Sequence, residues 1–186
     1  MTGSLSSTAD KSRDAHRHGY CEPVRTLILL RHAKSDYPAG VLDHDRPLAP
    51  RGIREGALAG DWLRKHVPAV DAVLCSSATR TRQTLARTEI EAPVQYVDRL
   101  YDATPGIVLA EINKVPAEVG TLLVVGHEPV MSSLALGLAG DGSAPEALEA
   151  VGHKYPTSAI AVLRTEKPWH ALELDGAALV AFHVPR

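Results

Sequence analysis

Three short stretches put histidine and arginine where chemistry can be done. Leu27 to Leu30 is an apolar, branched run of strand type, and it gives way in one step to Arg31, His32, Lys34 and Ser35. In open α/β sheets ligands gather beyond the carboxyl ends of the strands. An imidazole between two cations at such a place describes an anion site with a nucleophile in it. Taken alone, the same letters equally describe a strand end capped by solvated charges. A second run, Ala72–Cys75, passes into Ser76-Ser77-Ala78-Thr79-Arg80, and a third, Thr121–Val125, into Gly126-His127-Glu128-Pro129. If the three strands lie parallel in one sheet, two imidazoles and two guanidiniums converge on one edge. Imidazole with a free ring nitrogen is a nucleophile. A guanidinium offers a planar fork that matches a phosphate edge. Histidines at two strand exits and arginines at two of them exceed what a structural role calls for.

The elements that must hold these residues follow from apolar runs alternating with segments of helical period, a pattern of α/β type. Strands are expected at about Val24–Leu30, Ala72–Cys75, Val94–Val97, Thr121–Val125, Ser158–Arg164 and Ala177–His183. Helices are expected from Pro50 to His66, Ala78 to Thr88, Pro105 to Lys114 and Pro129 to Leu138, with a short one over Pro145–Val151. A long polar connection links the first strand to the first helix. Ser76 or Ser77 is placed to cap the helix that follows the second strand. The link between the last two strands is too short for a helical crossover, which predicts an antiparallel hairpin on a mixed sheet.

Composition narrows the function classes. The 186 residues suffice for one domain with a full core, and 45% hydrophobic and 23% charged content is ordinary for a globular chain. A formal net charge of -2 provides no broad basic field, so nucleic acid is not an expected partner and anion recognition must be local. No apolar run approaches a membrane span, and no membrane partner is expected. Two cysteines, Cys21 and Cys75, suit a reducing, cytoplasmic setting rather than a disulfide framework. Cys75 reads as a core residue. Residues 1–22 are expected to be a disordered polar tail carrying His16 and His18, ahead of a single domain over 23–186. There is no H-E-x-x-H, no Walker-type glycine loop and no carboxylate cluster at ligand spacing, so neither a metal nor another cofactor is expected.

The three blocks together resemble the histidine phosphatase superfamily, also called phosphoglycerate mutase-like. Arg31-His32-Ala33-Lys34-Ser35 is similar to its Arg-His-Gly signature. Ser76 to Thr84 is similar to its Ser-x-x-x-Arg-x-x-Gln-Thr block, and Val124 to Pro129 to its third. Asp43-His44-Asp45-Arg46-Pro47-Leu48 with Arg51-Gly52, and Leu100-Tyr101-Asp102-Ala103, resemble the small SixA-type phosphohistidine phosphatases. The likeness runs from about Arg25 to the C-terminus. It implies a three-layer α/β/α fold with a central, mostly parallel mixed sheet.

By the same resemblance His32 is the nucleophile, Arg31 and Arg80 grip the phosphoryl oxygens, and His127 donates a hydrogen bond to the transferring group. Asp102 is a candidate general acid by position only. Lys34, Ser35, Arg46 and Glu128 are candidate substrate contacts, with Arg46 weighted toward holding the loop through Asp43 or Asp45. His44, His66, His153, His170 and His183 are expected to be unrelated to the chemistry. Two letters depart from the parent pattern: Ala33 stands for a glycine, and Glu128 stands where asparagine is common. Between Val97 and Thr121 there is room for one helix and no long lid, which suits a phosphohistidine displayed on a protein. The alternatives are a small phosphomonoester substrate or, in another class, a phosphate-binding module without catalysis.

Overall fold

The computed structural model describes residues 23–186, and the expected tail over 1–22 lies outside the described residues. Six strands form one sheet: β1 (Arg25–Arg31), β2 (Ala72–Ser76), β3 (Val94–Val97), β4 (Thr121–Gly126), β5 (Ile160–Thr165) and β6 (Ala178–His183). Their spatial order is β3-β2-β4-β1-β5-β6. The pairings β3–β2, β2–β4 and β4–β1 are parallel, whereas β5 runs antiparallel to both β1 and β6. The sheet is therefore mixed and mostly parallel, and the last two strands form the predicted antiparallel pair.

Alternation along the central strands divides the core in two. Leu27 and Leu29 face one layer, with Val108 and Ile112 of α3 (Pro105–Ile112), Met131 and Leu134 of α4 (Val130–Leu138), and Ala147 and Val151 of α5 (Pro145–His153). Ile28 and Leu30 face the other, with Ala59 and Leu63 of α1 (Pro50–His66) and Leu85 of α2 (Thr79–Thr88). This is a three-layer α/β/α architecture. Both layers grip β1 and β4, so the tips of those strands are fixed by the bulk of the core.

Three local differences bear on the site. The polar connection after β1 holds a short 3₁₀ turn, Asp43–Asp45, and folds back on itself through a bridge between Ser35 and Leu48. Pro129 precedes α4 as its cap residue instead of opening it. Neither Ser76 nor Ser77 caps α2: the cap position is Ala78, with no side-chain bond to the helix amides. Both serine hydroxyls are taken up by histidines instead, as described below.

Candidate active site

Register alone brings two of the blocks together. Arg31 pairs with Gly126 across β1 and β4, and the His32 amide donates to the Gly126 carbonyl at 2.9 Å. One residue further on, the rings of His32 and His127 stand 5.2 Å apart. Both side chains are nearly buried, at 9% and 8% exposure.

The loop after β1 is held rigidly. Thr84 Oγ1 accepts from the Ala33 amide at 2.8 Å, and Gln83 Oε1 accepts from the Leu48 amide at 2.7 Å. The Gln-Thr pair that closes the second block is thus a clamp from α2 onto the first. Gly52 lets α1 approach the same loop: a Cβ there would lie 2.1 Å from the Lys34 carbonyl oxygen.

The His32 ring has its tautomer set by the backbone. Nδ1 lies 2.8 Å from the Ala33 carbonyl, which can only accept, so Nδ1 carries the proton and Nε2 keeps its lone pair. Burial lowers the His32 pKa to about 3; His127, Arg80 and Arg31 push the same way against the Ala33 bond. His127 is lowered to about 4, mainly by burial and then by Arg80. Both rings are neutral at pH 7. His127 Nε2 lies 2.8 Å from Ser76 Oγ, at the last residue of β2.

Arg31 Nη1 donates to the Tyr155 carbonyl at 2.7 Å, and burial lowers its pKa while Glu128 opposes the shift. Arg80, 7% exposed, donates through Nη1 to the Asp43 carbonyl at 2.6 Å and through Nη2 to Asp43 Oδ2 at 3.1 Å. The same Oδ2 accepts from the Tyr101 hydroxyl at 2.7 Å. Oδ1 accepts from Arg46 Nη1, also at 2.7 Å. These bonds, the one from Tyr101 first, hold the Asp43 carboxyl well below the usual range, so it stays ionised. Tyr101 stands edge-on to His127 at 5.7 Å, with the Arg80 guanidinium 5.7 Å from its ring centre.

Of the residues named from sequence, His32, His127, Arg31 and Arg80 come together. Arg46 instead organises the loop: it bonds Ser35 Oγ, the Asp36 carbonyl and Asp43, and stacks on Tyr37 at 3.4 Å. Ser35 is buried and engaged by Arg46. Lys34 is exposed, with its ammonium 5.6 Å from the Tyr37 ring centre. Glu128 accepts from the Ser132 amide at 3.1 Å, capping the first turn of α4, and faces Arg31 electrostatically. Asp102 is exposed and makes no hydrogen bond or ion pair among the described residues; the carboxylate brought to Arg80 is Asp43. His44, set aside from sequence, lies against the site: Nε2 is 3.2 Å from Ser77 Oγ and the ring stands edge-on to Tyr101 at 4.8 Å. Sequence reasoning also missed the parts played by Ser76, Asp43 and Tyr101. Cys75 is fully buried, and desolvation pushes its thiol up to about 12, which leaves it inert.

Two uncharged imidazoles flanked by guanidiniums can take and release a phosphoryl group: one ring has a lone pair to attack with, and the cations match the oxygens. Residues 27–111 match the model of the histidine phosphatase superfamily, branch 1. An uncharacterized protein of Mycobacterium tuberculosis is 61% identical over 158 residues, covering 84% of this chain and 100% of its own. The structure of a protein assigned as phosphohistidine phosphatase SixA from Nakamurella multipartitia is similar with a TM-score of 0.80 and 43% identity, over 87% of this chain and 96% of that one. A second structure, assigned likewise, from Agrobacterium tumefaciens has a TM-score of 0.71 and 30% identity, over 88% and 99%.

Proposed function

The chain belongs to the histidine phosphatase superfamily, in its SixA-type branch, and is a phosphatase; from that premise we propose that its substrate is phosphohistidine displayed on a protein. The observation that carries the catalytic part is the His32 tautomer. With Nδ1 bonded to the Ala33 carbonyl, Nε2 is the nitrogen free to attack phosphorus. In the first step Nε2 forms a bond to phosphorus while the substrate P–N bond breaks. The electron pair leaves on the substrate imidazole, which departs as a neutral ring once its distal nitrogen is protonated. In the second step water attacks phosphorus, the bond to His32 breaks, and inorganic phosphate is released with a proton. Arg31 and Arg80 hold the equatorial oxygens, and His127 donates to the group as its charge redistributes.

Two features support a protein substrate. Between β3 and β4 the chain is spent on one short turn and on α3, whose Val108 and Ile112 are buried in the core, so this segment supplies no lid. The loop that carries Asp43 exposes Tyr37 at 70% and Leu42 at 74%, apolar surface next to the residues that hold Arg80. An imidazole leaving group also makes little demand for a general acid, in keeping with the exposed position of Asp102.

The test is a phosphohistidine protein labelled with ³²P. Acid-labile label is expected on the wild type and absent from His32→Ala, with kcat/KM for phosphohistidine well above that for small phosphomonoesters. Full turnover by His32→Ala would overturn the mechanism. High kcat/KM on a sugar phosphate, with phosphohistidine ignored, would overturn the substrate.

A further inference from the structure

Ser76 is fully buried at the tip of β2, and its hydroxyl is not spent on the helix it precedes. A hydroxyl has one proton to give and two lone pairs to receive with. The Ala78 amide, which can only donate, points at Ser76 Oγ at 3.5 Å. The other close contact of Oγ is His127 Nε2 at 2.8 Å. Thr81 takes the Ser76 carbonyl, not the hydroxyl.

Two proton arrangements are open. If Nε2–H donated to Oγ, the hydroxyl proton would have no acceptor and Nδ1 would be a bare lone pair, leaving two groups unmatched. If Oγ–H donates to Nε2, the only unmatched group is Nδ1–H, and Nδ1 is indeed buried with no partner among the described residues. Unpartnered buried polar atoms are costly, so the arrangement with fewer is favoured. An N–H beside His32 and the two guanidiniums is also the polarity that phosphoryl oxygens require.

We propose that Ser76 is a positioning residue: its hydroxyl donates to His127 Nε2, fixes the ring proton on Nδ1, and so presents an N–H donor to the transferring phosphoryl group. Because the ring is neutral, it has a single N–H, and its location decides whether His127 can donate at all. The inference rests on the phosphatase reading above, but its primary readout does not need substrate.

The experiment is ¹⁵N NMR of the full chain with labelled histidine, His127 being assigned by loss of its signals in His127→Gln. The wild type is expected in the Nδ1–H form. Ser76→Ala is expected to shift His127 toward Nε2–H or a mixture and to lower kcat about tenfold, with KM changed less than about twofold since the ground-state phosphate grip is intact. Turnover is read on both a phosphohistidine peptide and a small phosphomonoester. A wild-type ring in the Nε2–H form overturns the proposal even if Ser76→Ala fails to fold. An unchanged tautomer or an unchanged kcat in a folded Ser76→Ala overturns it as well. Absence of wild-type turnover on both substrates would instead sink the phosphatase reading, with the tautomer still measurable.

Discussion

The candidate site has two halves built by different physics. At the strand tips, His32 and His127 are nearly buried, carry no charge at pH 7, and are aimed by backbone register, one carbonyl and one hydroxyl. On the loop side, Arg80, Arg46 and Tyr101 converge on Asp43, whose side chain is 55% exposed and remains ionised. The first half is as stable as the core that carries β1 and β4. The second is an ionic network whose arginines are largely buried but whose Asp43 carboxylate meets solvent, so that its pairs are partly screened. The attacking atom is thus placed by the core, whereas one of the two gripping arginines, Arg80, is placed by a network that reaches solvent through Asp43. Chemistry should be lost with the first half and affinity with the second.

The largest effect tests the tips. His32→Ala removes the nucleophile and should lower kcat by roughly 10⁴-fold or more, with fold and thermal midpoint retained; phosphohydrolysis assays beside circular dichroism check both. Next comes the grip. Arg80→Lys keeps the charge but cannot span the Asp43 carbonyl and carboxylate together, and kcat/KM should fall on the order of 10²-fold. Smaller again is Asp43→Asn, which weakens two arginine contacts: KM for phosphorylated substrate should rise about tenfold with kcat less affected. Asp102→Asn should stay within about twofold of wild type. If Asp102→Asn cost more than Asp43→Asn, the carboxylate that matters would lie on the other side of Tyr101.

The same division explains what the sequence could show. His32, Arg31, Arg80 and His127 were legible because each sits at the end of a strand, directly beyond one or in the first helical turn after one, and parallel pairing does the rest. The α/β class was legible from apolar runs such as Leu27–Leu30 alternating with helix-period segments, whereas the three-layer arrangement was an implication of the family resemblance. The loop half depends on pairs far apart in the chain, Asp43 with Arg80 at 37 positions and with Tyr101 at 58. No local pattern records such a contact. Only the Asp43–Arg46 spacing of three was a hint, and it was read as the loop holding itself. Leu100-Tyr101-Asp102-Ala103 marked the right stretch, but in the structure it is the tyrosine that bonds Asp43, while Asp102 is exposed. Ser76 was misread since a serine before a helix usually caps it; here a histidine across the sheet competes for the same hydroxyl.

Acid separates the two halves most finely. Burial depresses the folded-state pKa of His32 to about 3 and of His127 to about 4, while both return near 6.5 in the unfolded chain. Between those values the unfolded state binds more protons than the folded one. The contribution of the neutral rings is therefore full above pH 6.5 and is lost as pH falls toward 4 and 3. Each ring can contribute a slope of up to about 1.4 kcal/mol per pH unit in that window. Asp43, held below the usual carboxylate range by Tyr101 and the arginines, acts only further down, where carboxylates begin to protonate. From pH 6.5 to 5 the loss of stability should come from the strand tips together with His183, whose pKa burial and His66 also lower, and urea midpoints should fall across that range. His127→Gln should flatten the slope, and Asp43→Asn should leave it unchanged there. A midpoint that stays level from 6.5 to 5, or a slope that follows Asp43 instead of His127, would mean that the rings are wet and the tip half is no better shielded from water than the loop.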